Sequence, residues 1–263
     1  MSRQGDSPYL EFRNVSKAFG GLVAVNNVSF SLLKGEVLSI IGPNGAGKTT
    51  LLNLITGIWP LSKGEIWFKG QKMSGLPTYR ICHLGISRTF QNLQLFTDLS
   101  VVQNVMVGCH TKAHSSLLEV MLRLGRARRE EQELFDRAVE KLSLFGLEKK
   151  ALAMPLSLPL RERKLIGVAR ALATEPELLL LDEPAAGLSV EEVRDFSQRI
   201  LKLNEHGMTI LFIEHRMEMV EGISTRVVVL NFGCKIAEGT FDEIQRNEDV
   251  VAVYLGGTQK EEA

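Results

Sequence analysis

Short apolar runs and longer amphipathic stretches alternate along this chain. Runs of strand length occur at Leu10–Val15, Val28–Leu33, Val37–Ile41, Glu65–Lys69, Ile86–Phe90, Leu178–Leu181, Thr209–Ile213, Arg226–Leu230 and Lys235–Glu238. Apolar positions three and four apart predict helices over Lys48–Ile58, His114–Leu144, Leu160–Ala173, Val190–Glu205 and Phe241–Asn247. Turns such as Phe19-Gly20-Gly21 and Lys34-Gly35 separate the early strands, which predicts antiparallel pairing there. Further on, strands alternate with helices, the pattern of an α/β fold with a partly parallel sheet. Little strand signal lies between Gln91 and Ala173, so this stretch reads as a helical subdomain inserted into the α/β core. The charge run Arg126–Glu133 reads as a solvated helix face.

A chain of 263 residues buries about three quarters of its extended surface, enough for a core without staples. Apolar residues make up 44% and charged residues 24%, which excludes a disordered or collagen-like chain. Lys+Arg and Asp+Glu are both 31, so no basic excess points to nucleic acid. No apolar run approaches the ~20 residues of a membrane span. Met1–Pro8 is polar and predicts no secretion signal. Cys82, Cys109 and Cys234 are scattered and odd in number, as expected of a reducing cytosol.

Gly42-Pro43-Asn44-Gly45-Ala46-Gly47-Lys48-Thr49-Thr50 matches G-x-x-x-x-G-K-[ST]. An apolar strand precedes it and a helical pattern follows, the context this motif needs. The glycines let successive N–H groups turn inward onto phosphate oxygens, and the helix start adds its dipole. Lys48 is placed to reach the β- and γ-phosphates of a nucleotide, and the Thr49 hydroxyl to hold Mg²⁺.

Leu178-Leu179-Leu180-Leu181-Asp182-Glu183 is an unbroken apolar run that ends in two carboxylates. Such a run suits a strand buried on both faces, and open α/β sheets bind ligands at the carboxyl ends of their strands. Asp182 is then expected to hold Mg²⁺ through water and Glu183 to polarise the attacking water. Gln91 and His215 each follow a predicted strand and gain weight from the phosphate loop on the same sheet. Ser189-Val190-Glu191-Glu192 fits a capping box, which by itself explains Ser189.

The ordered set of phosphate loop, Gln91, Ala169-Arg170-Ala171-Leu172, Leu178–Glu183 and His215 resembles the ATP-binding cassette (ABC) family of transporter ATPases, over Leu10 to Gly256. Within that family the chain resembles the cytosolic ATPase of high-affinity branched-chain amino acid importers. Phe19–Val25, Gly85–Gly108 around Arg88-Thr89-Phe90-Gln91-Asn92, Lys235–Thr240 and Val250–Gly256 carry this likeness, the second most specifically. The resemblance implies an α/β P-loop NTPase: an ABC ATPase domain with a RecA-like core, an antiparallel β subdomain and the inserted helical subdomain. One domain would span 1–263, with core segments 1–90 and 174–257, helical subdomain about 91–173 and tail 258–263. By the same resemblance Phe19 would stack on adenine, Gln91 would sense Mg²⁺ and water and link to the membrane subunit, and His215 would contact the γ-phosphate. Ser189 would occupy a position where the family usually has Asp or Asn. ATP and Mg²⁺ would be bound between two cassettes. The implied partners are a second ABC ATPase subunit, transmembrane permease subunits and, indirectly, a substrate-binding protein, with the chain peripheral on the cytoplasmic face of the membrane.

One departure stands out. The family signature Leu-Ser-Gly-Gly-Gln is not intact. Counting back from Ala169 puts Leu158-Pro159-Leu160-Arg161-Glu162 in its place, and a two-residue shift gives Leu156-Ser157-Leu158-Pro159-Leu160. Both registers lack the two glycines. In the family this segment grips the ATP of the opposite cassette, so a heterodimer with a partner bearing a good signature is expected. Arg161 could substitute by its charge, which keeps a homodimer open. Alternative functions are a urea or amide importer, an exporter, a cassette acting on nucleic acid, and a regulatory ATPase with weak hydrolysis. Cys109-His110 with His114 is a weak metal candidate, and Trp59 and Trp67 are expected in the core.

Overall fold

The computed structural model describes residues 7–90, 94–109 and 125–256. Two sheets form the frame. Strands β1 (Leu10–Phe19), β2 (Leu22–Leu32), β4 (Lys63–Phe68) and β5 (Gln71–Lys72) make an antiparallel sheet in the order β2-β1-β4-β5. Strands β3 (Val37–Ile41), β6 (Ile86–Arg88), β7 (Leu178–Asp182), β8 (Thr209–Ile213), β9 (Arg226–Asn231) and β10 (Cys234–Gly239) make a second sheet in the order β10-β9-β3-β8-β7-β6. That sheet is parallel except for β10, which returns antiparallel on β9.

The unbroken apolar runs have a direct cause. Every residue of β3, β7 and β8 is buried. Side chains alternate across a strand, so each run feeds two cores. Leu179, Leu181, Ile210, Phe212, Val227 and Val229 enter one core with the helices of the inserted segment. Leu178, Leu180, Leu211, Ile213, Val228 and Leu230 enter the other, between α1 (Lys48–Ile55) and the antiparallel sheet. The first core is lined by α3 (Val101–Cys109), α4 (Gly125–Ser143), α5 (Leu160–Leu172), α6 (Val190–Glu205) and α7 (Met217–Ile223).

Several elements differ from the sequence pattern. α1 stops at Ile55, and the Asn53 carbonyl then accepts from the N–H groups of both Ile58 and Trp59 as the chain turns at left-handed Gly57. β5, α2 (Thr78–His83), α3, α7 and α9 (Glu248–Gly256) were not predicted, and α8 is confined to Phe241–Gln245. The first eleven residues of the helix predicted at His114–Leu144 lie outside the described residues, as do His110 and His114 of the weak metal candidate. Cys109 is buried in the core, and no cluster of metal-ligating side chains occurs among the described residues. Trp59 is a correction: its ring is 42% exposed and meets Phe19 edge-on at 5.2 Å. Trp67 is half-buried, bonded to Glu65 and covered by Arg13. Trp67 alternates with buried Ile66 and Phe68 on β4, so its ring takes the outer face of the antiparallel sheet, and Trp59 stands beside Phe19 outside either core. Among the described residues no helix is long and apolar enough to cross a membrane.

Candidate nucleotide site

The loop from Gly42 to Gly47 runs from the end of β3 into α1. Its glycines are required by geometry at two points. A Cβ on Gly42 would lie 2.1 Å from the Leu230 carbonyl oxygen, and one on Gly47 would lie 2.4 Å from that of Ala24. Gly47 is also left-handed (φ 96°) and precedes α1 without a side-chain cap. The first bond of this turn is Leu51 N–H to Gly47 O at 3.0 Å. The amides of Lys48, Thr49 and Thr50 come before it, and no acidic residue occupies the first turn. A helix start so bared is an anion site.

The Lys48 ammonium is buried and donates to the carbonyl oxygens of Gly42 and Pro43, both at 2.8 Å. Burial lowers its pKa, against the pull of the Glu183 and Asp182 carboxylates. A cleft of ≈ 340 Å³ opens over the loop. It is lined by Phe19 and Leu22, the loop and helix residues Asn44 to Thr50, and Glu183 and His215. Thus the residues from the first strand, the phosphate loop, the end of β7 and the end of β8 share one cleft. Phe19 stands at the rim with the Lys17 ammonium 4.7 Å from its ring centre.

Asp182 ends β7 and is buried. Its Oδ2 accepts from Arg88 Nη2 at 2.6 Å, while Oδ1 is buried with no hydrogen-bond partner. Burial pushes its carboxyl up from the ordinary range, with the Arg88 guanidinium opposing the shift. An orphaned carboxylate oxygen on the residue before Glu183, together with the Thr49 hydroxyl in the cleft, is a hard-oxygen donor set of the kind that suits Mg²⁺. Thr49 and Asp182 could hold it. Gln91, named with them from the sequence, lies outside the described residues.

Glu183 follows in the left-handed region (φ 46°), a conformation costing about 1–2 kcal/mol for a residue with a Cβ. Its N–H is held by the Ile213 carbonyl at 3.0 Å, and its Oε1 lies 3.1 Å from His215 Nε2. The geometry turns the carboxylate into the cleft and pairs it with the histidine.

Three contributors were missed in the sequence. Glu214 is buried, and its carboxylate accepts from the N–H groups of Ala185 (2.6 Å), His215 (2.8 Å) and Arg216 (3.1 Å). It fixes the loop after Glu183 to the loop carrying His215. Its sequence signal is the one used for Asp182: a carboxylate closing an all-apolar strand. Lys164, buried on α5, points its ammonium at the Glu183 carbonyl oxygen (3.4 Å). Arg88 is the third, and nothing local to its strand marks it as buried.

The signature segment is placed by α5. Pro159 is the N-cap and Leu160 the first helical residue, so Leu158–Glu162 straddles the helix start, whereas the shifted register begins in the preceding 3₁₀ turn Pro155–Ser157 and ends on Leu160. Arg161 is paired with Asp195 on α6 at 2.9 Å. Glu162 is paired with Lys150 at 2.6 Å. Ser189 caps α6 with the reciprocal Glu192 bonds predicted for it.

Known proteins resemble this chain in sequence and in fold. Residues 25–186 match the family model described as ABC transporter, and residues 234–259 match that of the branched-chain amino acid ATP-binding cassette transporter. The chain is 41% identical over 250 residues to the high-affinity branched-chain amino acid transport ATP-binding protein LivG of Salmonella typhimurium, covering 95% of this chain and 98% of that one. It is similar to the crystal structure of the ADP conformation of an ATP-binding cassette of an ABC transporter (TM-score 0.83, 32% identity, 95% of this chain and 99% of that one). A dimeric bacterial ABC transporter cassette is also similar (TM-score 0.75, 27% identity, 88% of this chain and 98% of that one).

Proposed function

The chain belongs to the ABC transporter family, and on that premise we propose that it is the ATP-binding and ATP-hydrolysing subunit of an importer for branched-chain amino acids. The observation that carries the reading is the meeting of phosphate loop, Glu183 and His215 in one cleft, 3.1 Å separating the last two, in a chain so similar to LivG. The cargo comes from that similarity, since no residue of the cassette site selects it.

Each side chain has a part in the reaction. The amides of the loop and of Lys48 to Thr50 bind the phosphates, and Lys48 exchanges its two carbonyl acceptors for phosphate oxygens of higher charge. Phe19 supplies the face on which adenine stacks. Mg²⁺, when bound, neutralises charge developing on the phosphates. Thr49 and Asp182 would hold it, with Gln91 assigned to the same duty by the family resemblance. Glu183 orients and accepts a proton from the attacking water. His215 Nε2 pairs with the Glu183 carboxylate in the cleft and is placed to turn its N–H to the γ-phosphate when nucleotide binds. Steps of this kind need positioned groups more than covalent chemistry.

The partner is a second cassette with an intact signature, and the pair sits peripherally on permease subunits at the cytoplasmic face. This chain's own cleft needs only the partner's signature. The start of α5, which would serve the partner's ATP, has Pro159 without an N–H and two bulky residues where glycines would allow close approach. Each pair then has one competent site.

Uptake of labelled leucine, isoleucine and valine by cells deleted for this gene tests the reading. The native gene restores uptake and Glu183→Gln does not. Unchanged uptake in the deletion strain, or full rescue by Glu183→Gln, contradicts it.

A further inference from the structure

Arg88 belongs to the segment that distinguishes this chain's resemblance, yet it takes no part in the nucleotide cleft. It ends β6, and its side chain is 5% exposed. One arm of the guanidinium, Nη2, donates to Asp182 Oδ2 at 2.6 Å. The other, Nη1, donates to Asn53 Oδ1 at 2.6 Å, on the helix whose first turn bears Lys48 and Thr49. The Phe90 ring lies 4.9 Å from the guanidinium carbon and covers it. A planar fork fixed at both ends sets the plane of the carboxylate it grips. With Oδ2 engaged by Arg88, Oδ1 is the carboxylate oxygen left buried and without a partner.

We propose that Arg88 is a positioning residue for the metal: it keys the Asp182 carboxylate to α1, the helix that carries the Thr49 hydroxyl, so that Oδ1 is held in a fixed orientation relative to that hydroxyl. α1 and β7 pack through one apolar core, and the guanidinium adds a polar link that bonds to a side chain of each element. A group behind a metal-holding carboxylate acts on metal affinity and leaves the phosphate contacts of the loop intact. The inference rests on the reading of Asp182 as a metal-holding residue.

The test is binding of a fluorescent ATP analogue, in excess Mg²⁺ and in EDTA, by the full chain carrying Glu183→Gln to prevent turnover. The gain in affinity from Mg²⁺ is the readout. Asp182→Asn is expected to abolish the gain. Arg88→Gln is expected to cut it by about tenfold, the usual cost of losing a carboxylate's supporting partner, with EDTA affinity within about twofold of the parent. Arg88→Lys keeps the charge but cannot span Asp182 and Asn53 together, and is expected to lose a severalfold part of the gain. If Arg88→Gln does not fold, Arg88→Lys decides by the same criteria. An undiminished Mg²⁺ gain in the Arg88 variants overturns the inference while leaving Asp182 its role. So does a parallel fall of both affinities, which marks a merely structural arginine. A full gain in Asp182→Asn overturns the reading of Asp182 and the inference with it.

Discussion

Helix α1 is entered through Gly47, left-handed and without a Cβ, whereas α5 is entered through Pro159, extended and without an N–H. Both helices present three amides before their first bonds, Leu51 to Gly47 and Arg163 to Pro159. Both carry the same positive dipole end. The surroundings differ. Around α1 the backbone packs so closely that a Cβ on Gly47 would reach 2.4 Å from a carbonyl, and the first turn of the helix carries no acidic residue of its own. Around α5, Leu160 packs toward Gly187, Arg161 turns to Asp195, and Glu162 places a carboxylate in the first turn. A dipole end common to all helices therefore does not make a phosphate site. Bare backbone does, and this chain keeps it at α1 and not at α5.

The comparison can be broken first at Lys48. Lys48→Ala removes the cation of the bare helix start, and turnover with the partner cassette is expected to fall on the order of 10²-fold or more. Steady-state phosphate release measures it. Retained turnover would mean the amides suffice. Next comes Gly47→Ala. A Cβ in the left-handed region, pressed on the Ala24 carbonyl, is expected to cost about 1–3 kcal/mol. Chemical denaturation should show the loss and nucleotide titration a weakened site. A neutral outcome would remove the steric argument for the loop.

Smaller effects belong to the partner-facing side. Ser189→Ala deletes the half of the α6 capping box in which Ser189 Oγ accepts from Glu192 N–H, leaves the Ser189 N–H to Glu192 bond, and is expected to cost about 1 kcal/mol, visible as a lower midpoint of urea unfolding. If partner-stimulated turnover collapses while stability holds, Ser189 acts across the sandwich and not as a cap. Arg161→Ala loses a half-exposed pair with Asp195 and is expected to change stability by under about 1 kcal/mol. Partner-stimulated turnover should be unaltered. A large fall there would show Arg161 standing in for the lost glycines.

The phosphate loop, the carboxylates at the end of β7 and the α6 cap were legible because each is a local pattern with a local cause. α3 was not, although Ser100 and Gln103 form a capping box at its start, with Ser100 N–H to Gln103 Oε1 at 2.8 Å and Gln103 N–H to Ser100 Oγ at 3.4 Å. Its valines favour strands, and burial against α4 and α5 overrides that preference. The Arg88–Asp182 and Glu214–Ala185 contacts join residues remote in sequence but adjacent across the sheet, where only the strand order β8-β7-β6 brings them together. Trp59 was misplaced because aromatic bulk predicts burial, whereas here the ring completes the rim beside Phe19.

The central claim is a sound cleft on one side of the chain and a disabled helix start on the other. Light scattering of purified Glu183→Gln after gel filtration, with and without MgATP, tests it most directly. The account predicts a chain that binds ATP and keeps its monomer mass of 29.2 kDa. A shift to twice that mass with MgATP would show the start of α5 gripping nucleotide after all, and would contradict it.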